Sequence, residues 1–297
     1  MAAPPGAMLV LAMNGMSPIG DAAYDLLDEL RGKFESFRAA AYGGEDPEAI
    51  HQMRVNARRL RSCFRAFDPV LAQPVRELEP ELQWIAVSLG EVRDIDVLAE
   101  KIPAARTILG ELRTTRLAQL RADLDSARYA NLAEALRCRI AVAVHDNLAL
   151  ATAPVAIVAP DIVALAYRAA RRASRAIDEN SEPAAIHTLR KRAKRLRYTA
   201  DCFSSLYGKA GKRFIASLKD LQDLLGAYQD AIVAQAICAE LLGRGADAAL
   251  DAYSQDASNA ASDLRLELPN QIVELDTRWT DLWQRMRDER RNLWRNK

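Results

Sequence analysis

The chain has 297 residues, of which 50% are hydrophobic and 6% aromatic, so it is long enough for two ordinary domains that each bury a core. Its 41 basic and 40 acidic side chains leave a formal net charge of +1, which excludes the strongly basic composition of a general nucleic-acid-binding protein. The apolar segment 7–13 is too short to cross a bilayer and follows no basic region, so we expect neither a signal peptide nor a membrane-spanning helix.

The first half of the chain is predicted to be helical, because its apolar residues recur every three or four positions. A first helix is expected over 21–41 and a second over 47–67. A long helix then extends to about residue 101, and a further helical stretch begins at Pro103 and continues with interruptions to about residue 148. No convincing run of strands is found.

The second half repeats this plan. A helix is expected over 161–178, a second helix from Pro183, and a long helix from about Lys209, after which two further helices reach the C-terminus. Three tryptophans are expected to anchor the last helix in its bundle: Trp279, Trp283 and Trp294.

The boundary between the halves is predicted at 151–160, a segment with two prolines and no charged residue. The N-terminal residues are expected to form a loose tail or a small docking segment. The predicted organisation is a tail at 1–16, a first bundle at 17–150, a linker at 151–160 and a second bundle at 161–297.

A segment that begins at Pro47 recurs at Pro183, 136 positions later. Each copy places a histidine and three cations at helical steps of three and four, which puts them on one face of the helix. Like charges at these spacings cost roughly 0.2–0.5 kcal/mol per pair in an isolated helix, so something is expected to offset the repulsion. Bound phosphate is the simplest candidate, because Arg matches phosphate oxygens, whereas a merely solvated basic surface is disfavoured by the two matching copies. The residues are His51, Arg54, Arg58 and Arg61 in the first copy and His187, Arg190, Lys194 and Arg197 in the second.

A second shared element follows each basic helix without a gap in the register. Glycine within a helix costs about 1 kcal/mol relative to Ala, so its recurrence predicts a close approach of two backbones. The acid of each copy either orients an Arg or a His of the basic helix or is a surface carboxylate of an ordinary helix pair. The matching residues are Leu89, Gly90 and Asp94 in the first copy and Leu225, Gly226 and Asp230 in the second.

The remaining chemically reactive side chains are expected to be structural. His145 lies in an apolar run and is predicted to be a core or edge histidine. The cysteines form no Cys-x-x-Cys pair and lie within helical patterns, which favours buried thiols, a reducing compartment and no zinc site. They are Cys63, Cys138, Cys202 and Cys238.

These motifs resemble those of the CHAD family, the conserved histidine α-helical domain. The family pattern is a His-x-x-Arg-x-x-x-(Arg/Lys)-Arg-Leu-Arg helix followed by a Leu-Gly-x-x-x-Asp helix, with the whole unit duplicated. Here the resemblance covers nearly the whole chain, from about Asp21 to the C-terminus. It implies an all-α fold of two tandem four-helix-bundle repeats with pseudo-twofold symmetry. It also implies that inorganic polyphosphate binds in a basic channel between the bundles.

The resemblance also implies which residues bind the polyphosphate. The first copy has Gln83 where the second has Lys219, and Gln229 replaces Arg93, so the site is expected to be asymmetric. Asp94 and Asp230 would be the orienting acids. The binding residues would be His51, Arg54, Arg58, Arg59, Arg61, His187, Arg190, Lys191, Lys194, Arg195, Arg197 and Lys219.

The expected function is binding without catalysis. Phosphoryl chemistry normally requires carboxylates that hold metal ions among the phosphates, and the basic faces contain none; there is also no Walker motif and no nucleophile elbow. We therefore expect a cytoplasmic protein without a catalytic residue, metal or cofactor, whose partner is polyphosphate or a similar polyanion and which associates with polyphosphate granules. One alternative is an enzyme that processes polyphosphate or triphosphate, or an accessory to one. Another is an adaptor that binds nucleic acid or protein through the same channel, although few aromatic residues are available to stack on single strands.

Overall fold

The structure is a computed structural model that describes residues 14–101, 106–142, 145–178, 181–242 and 248–295. These residues are helical, with a single isolated bridge between Pro18 and Pro154 as the only extended pairing among them. The all-α class predicted from the sequence is therefore confirmed. The chain divides into two compact units, Met16–Val155 and Ala156–Lys297 with Met1–Gly15. The predicted tail at 1–16 lies almost entirely outside the described residues.

The first unit contains eight described helices, three of which are single turns or little more. The long helices α1, α3 and α5 form its centre, since α3 packs against both of the others. The helices are α1 (Ile19–Ser36), α2 (Arg38–Gly43), α3 (Pro47–Ala66), α4 (Gln73–Arg76), α5 (Glu79–Lys101), α6 (Arg106–Leu124), α7 (Ala127–Ala141) and α8 (Leu148–Ala151).

The second unit is built from four long helices among its described residues. A 3₁₀ turn at Ser204–Tyr207 joins the second of them to the third. The third packs against the second and, over much of its length, against the fourth. The helices are α9 (Val155–Arg175), which begins at the boundary of the units, α10 (Pro183–Phe203), α11 (Gly208–Leu242) and α12 (Ala248–Arg295).

Local sequence explains why α3 begins where it does. Gly44 adopts a left-handed conformation with φ of 73° and ends α2. Asp46 then caps α3 by accepting a hydrogen bond of 2.9 Å from the backbone N–H of Glu48, and Pro47 occupies the first helical position. The apolar stripe of α3 is fully buried, as is that of α10, which places each basic face beside a buried seam.

Three helix boundaries differ from the predictions. The helix expected over 21–41 is interrupted at Phe37, which separates α1 from α2. The predicted linker is partly helical, because α9 begins at Val155 and includes Pro160. The two helices expected after α11 are one helix of 48 residues, α12, with Pro269 inside it. An internal proline costs about 3 kcal/mol, and the extensive packing of α12 on α11 offsets this.

Aromatic side chains join α9 to α12. The ring of Trp279 stacks on Tyr167 with centroids 4.1 Å apart and on Trp283 at 5.5 Å. The Tyr167 hydroxyl donates to Asp276 at 2.6 Å, and Arg171 pairs with the same carboxylate at 2.7 Å. Trp279 therefore anchors α12 to α9, as expected. The ring of Trp283 contacts Trp279 of the same helix, so its anchoring role stays a prediction, and the side chain of Trp294 lies outside the described residues.

His145 and two cysteines have the structural roles predicted for them. The Nδ1 atom of His145 lies 3.0 Å from the carbonyl oxygen of Val70, and its ring meets Tyr24 edge-on. Cys63 and Cys202 are buried free thiols. The prediction was wrong for Cys138, which is exposed and whose thiol donates a hydrogen bond to Glu134. The side chain of Cys238 lies outside the described residues. Within the described chain, no helix has both the length and the apolar character needed to cross a membrane.

Two glycines allow the 3₁₀ turn to fold back onto α11. Gly208 has a φ of 52°, a conformation that L-residues rarely adopt. At Gly211, a Cβ atom would lie 2.7 Å from the carbonyl oxygen of Ser204, which is a rigid backbone atom. The turn and the first turn of α11 therefore approach closely only because position 211 has no side chain.

We expect Gly211→Ala to lower the free energy of unfolding by about 1–3 kcal/mol, because the added methyl group overpacks a backbone contact. Gly32→Ala is the matched control, since Gly32 lies within α1 and nothing is within 4 Å of its added Cβ. That change should raise the free energy of unfolding by about 0.5–1 kcal/mol. Urea unfolding followed by circular dichroism measures both, and a stabilising Gly211→Ala would contradict the close contact.

Candidate anion-binding site

The predicted cations of the first copy lie at the edge where α3 packs against α5. Their side chains are partly buried: that of Arg54 is 27% exposed and that of Arg61 is 19% exposed. The helical register explains this position, because the basic residues adjoin the stripe of Ile50, Met53 and Leu60, which is fully buried. These charges therefore need partners in the protein or in a ligand.

Arg54 packs over Gly90 of α5. A Cβ at Gly90 would lie 3.1 Å from Nε of Arg54, and the guanidinium lies 3.7 Å from the carboxylate of Asp94. Asp94 thus lies beside an Arg of the basic helix, but its side chain is 70% exposed, so its role as an orienting acid rather than a surface carboxylate stays a prediction. The prediction of two close backbones is wrong, because the neighbour of Gly90 is a side chain and Gly226 has no such neighbour within 4 Å.

Arg61 is held by an acid that the sequence analysis did not select. Its Nε donates to Glu79 of α5 at 2.8 Å and its terminal nitrogen donates to Gln83 at 2.9 Å. Glu79 also accepts a hydrogen bond of 2.6 Å from Arg65. Glu79 therefore compensates only part of the charge of Arg61, because it shares its carboxylate with Arg65.

His51 is partly buried, and its Nδ1 atom is buried without a hydrogen-bond partner among the described residues. Burial lowers the pKa of His51 below its ordinary value of 6.5. The nearby positive charges of Arg93, Arg54 and Arg58 lower the pKa further, and Glu48 partly opposes them. The imidazole is therefore neutral at pH 7 in the free protein.

The second copy holds its histidine differently. Nδ1 of His187 lies 2.9 Å from Oε1 of Gln229, the residue that replaces Arg93. With this oxygen as acceptor, Nδ1 carries a proton, so Nε2 must be protonated as well before it can donate to an anion. The replacement of Arg93 by Gln229 therefore gives the His187 ring a hydrogen-bond partner that the Nδ1 atom of His51 lacks among the described residues.

Arg190 and Arg197 of α10 lack the partners that their counterparts have in the first copy. Each has a buried Nε atom without a hydrogen-bond partner, and neither makes an ion pair with a described residue. Arg265 and Arg290 also have a buried Nε of this kind, but their terminal nitrogens donate to backbone carbonyls. The guanidinium of Arg197 lies 5.0 Å from the centre of the Tyr198 ring, its nearest recorded contact.

The sequence explains this difference between Arg61 and Arg197. Ile215 and Lys219 occupy the positions of the second copy that match Glu79 and Gln83. One neutralising carboxylate is therefore absent and one further cation is present. Glu79 could have been selected from the sequence, because it is an acid in the first copy at a position where the second copy has Ile215.

The other predicted residues are more open to solvent. Lys191, Arg195 and Lys219 are exposed, whereas Arg59, Arg58 and Lys194 are half-buried. Asp230 is exposed and makes no ion pair within the described part of the chain, unlike Asp94. The two basic faces belong to different units, so the single channel between them stays a prediction.

Comparisons with known proteins show what this chain is similar to. The chain is 30% identical over 300 residues to uncharacterized proteins from two strains of Mycobacterium tuberculosis, CDC 1551 / Oshkosh and ATCC 25618 / H37Rv. These alignments include 89% of this chain but only 55% of the relatives, so the chain spans about half the length of the curated relatives it matches.

Two solved structures share the fold. The crystal structure of the CHAD domain from the plant Ricinus communis has a TM-score of 0.67 and 24% identity, covering 95% of this chain and 97% of that one. PptA from Streptomyces chartreusis has a TM-score of 0.63 and 19% identity, covering 89% of this chain and 100% of that one. The sequence model of the CHAD domain matches residues 25–239, which include both basic helices and both Leu-Gly elements, and the chain therefore belongs to the CHAD domain family.

Proposed function

We propose that this protein binds inorganic polyphosphate along the basic faces of α3 and α10 and does not change it chemically. The proposal rests mainly on the buried Nε atoms of Arg190 and Arg197. Each has a buried donor without a protein acceptor among the described residues, and buried donors in folded proteins nearly always have one. Phosphate oxygens of a bound ligand would supply the missing acceptors.

The spacing of the cations favours a polymer over a single anion. Residues three or four apart on a helix have Cβ atoms about 5–6 Å apart, so the cations form a row along the axis. From His187 to Arg197 the row extends about 15 Å at the rise of an α-helix, which is long enough for several consecutive phosphate groups. A polyanion with regularly repeated charge can contact every member of such a row.

The two copies are not equivalent in this proposal. Glu79 and Asp94 compensate part of the charge of the first face, while the matching positions of the second hold Ile215 and Asp230, which makes no ion pair with a described residue. We therefore assign the stronger phosphate contacts to α10. Binding of this kind would bring the protein to polyphosphate granules in the cytoplasm.

Matched triple variants test the assignment. We expect Arg190→Ala with Lys194→Ala and Arg197→Ala to weaken polyphosphate binding by roughly a hundredfold or more, because charge-assisted hydrogen bonds contribute about 1.5–3 kcal/mol each. Arg54→Ala with Arg58→Ala and Arg61→Ala removes the same charge and should cost clearly less affinity, since Arg61 is already paired with Glu79. Fluorescence anisotropy with labelled polyphosphate measures both.

The salt dependence of the same titrations separates specific contacts from a general loss of charge. By analogy with single-stranded nucleic acids, each lost phosphate contact should reduce the slope of log K against log salt by about 0.7. Equal losses of affinity in the two triple variants, or a wild-type affinity that does not depend on salt, would contradict the proposal.

Binding should also depend on pH through His51. A bound phosphate favours the charged imidazolium and so raises the pKa of His51 above its lowered value in the free protein. Affinity is therefore expected to rise as the pH falls through the pKa of the complex, and to level off below the pKa of the free protein, which lies under 6.5.

His51→Asn is the control for this pH dependence, since it keeps a polar side chain but cannot titrate. Both proteins experience the same protonation of the ligand, so the difference between their affinity profiles reports His51 alone. Isothermal titration calorimetry at several pH values measures it. Parallel profiles would show that His51 does not contact the phosphate.

A phosphate-release assay tests whether binding is accompanied by catalysis. Among the described residues, Asp94 of the first Leu-Gly element lies 3.7 Å from Arg54, while its counterpart Asp230 is exposed and makes no ion pair. With polyphosphate and Mg²⁺ or Mn²⁺, we expect no release of phosphate above background. Steady turnover that Asp94→Ala or Asp230→Ala abolishes would identify the protein as an enzyme instead.

A further inference from the structure

A cavity of about 490 Å³ lies in the second unit, beside the first turn of α11. Its walls come from the end of the 3₁₀ turn, from the beginning of α11 and from the second half of α12. Four of the side chains in these walls are cations and one is an acid. They are Lys209 and Arg213 of α11 and Arg278, Asp281 and Arg285 of α12.

The cavity is distinct from the basic face of α10. Gln222 of α11 faces α10, because its side-chain nitrogen donates to the carbonyl oxygen of Ala193 at 3.0 Å. Arg213 precedes Gln222 by nine residues, and at about 100° per residue nine residues end on the opposite side of the helix. The α12 wall also lies beyond residues 25–239, which the family model matches.

The cations of the cavity are only partly compensated. Arg278 pairs with Glu274 at 2.7 Å and with Asp281 at 4.0 Å, and Arg285 pairs with Glu289 at 2.5 Å. These are pairs within one helix at the surface, which are weak and readily exchanged for a better acceptor. Lys209 and Arg213, one turn apart on α11, make no ion pair or hydrogen bond with any residue that the structure describes.

Two further features of the wall favour an anionic ligand. Gly208, Lys209 and Ala210 of the first turn of α11 line the cavity, so the positive end of the dipole of this 35-residue helix lies at its wall. Tyr207, which is only 2% exposed, also lines the cavity, and its buried hydroxyl has no hydrogen-bond partner among the described residues. A buried hydroxyl without a protein acceptor is a donor that a water molecule or an anion can satisfy.

We propose that this cavity binds a small phosphorylated molecule, whose phosphate groups contact Lys209, Arg213, Arg278 and Arg285. The volume falls within the range of about 300–1,000 Å³ that is typical of small-molecule sites. Asp281 lies among the cations and disfavours a ligand that is negatively charged along its whole length, such as bare polyphosphate. The same carboxylate can accept a hydrogen bond from a hydroxyl or amino group on the rest of the ligand.

The experiment uses two probes without added metal: ATP, which carries hydroxyl and amino groups, and inorganic triphosphate, which carries only phosphates. Binding to the full chain is measured by calorimetry. Lys209→Ala with Arg213→Ala should weaken ATP binding by roughly tenfold or more, because two charge-assisted contacts are lost. Arg192→Ala with Lys212→Ala is the matched control, since it removes the same charge from exposed positions outside the cavity, and it should leave ATP binding within about twofold.

Asp281→Asn tests the second part of the proposal. ATP should bind more tightly than triphosphate to the wild-type protein, and the substitution should narrow that difference by strengthening triphosphate binding. The outcomes that overturn the proposal are failure of both probes to bind at about millimolar concentration, and equal losses in the cavity and control variants. A third is ATP binding that is lost in the Arg190, Lys194 and Arg197 triple variant but kept in the cavity variant, which would place ATP on the basic face.

The test of the cavity is independent of the test of polyphosphate binding. The cavity variant should keep wild-type affinity for long-chain polyphosphate, and the α10 triple variant should keep its affinity for ATP. Each proposal therefore fails on a different measurement.

Discussion

The structure depends on the burial of an apolar stripe directly beside a row of like charges on the same helix. In α3 and α10 the apolar residues pack into the core, and the basic residues follow one helical step around the axis. They cannot all extend freely into water, because burial of the stripe draws their aliphatic stems to the edge of the packed surface. Charges in that position require counter-charges, and the source of these counter-charges distinguishes the two units.

In the first unit the protein supplies them. Glu79 binds both Arg61 and Arg65, and Asp94 lies beside Arg54, whose guanidinium fits over Gly90 because that residue has no side chain. In the second unit the matching acid is replaced by Ile215, and Arg190 and Arg197 have buried nitrogen atoms without a described protein partner. The protein thus compensates part of the charge of the first basic face, whereas Arg190 and Arg197 of the second make no ion pair with a described residue.

The second unit therefore presents two cationic surfaces of different design. On α10 the charges form a row along a helix, which suits a polymer of phosphates. At the beginning of α11 they surround a cavity and include Asp281, which suits a small molecule with phosphates at one end. Gln222 of α11 faces α10, whereas Arg213 lines the cavity on the opposite side of the same helix.

The sequence by itself determined the helical class, the two basic helices with their buried stripes, and the asymmetry between Gln83 and Lys219. These features are local, since a helix and its faces follow from the spacing of apolar and charged residues within a few turns. It did not reveal that α12 continues through Pro269, because the stabilisation that offsets an internal proline comes from packing against α11. Only the tertiary structure showed that Glu79 holds Arg61, that Gly90 accommodates a guanidinium and that α12 completes a cationic cavity with α11. These contacts join residues that are distant in sequence. The packing of separate helices therefore decides which charged side chains form ion pairs.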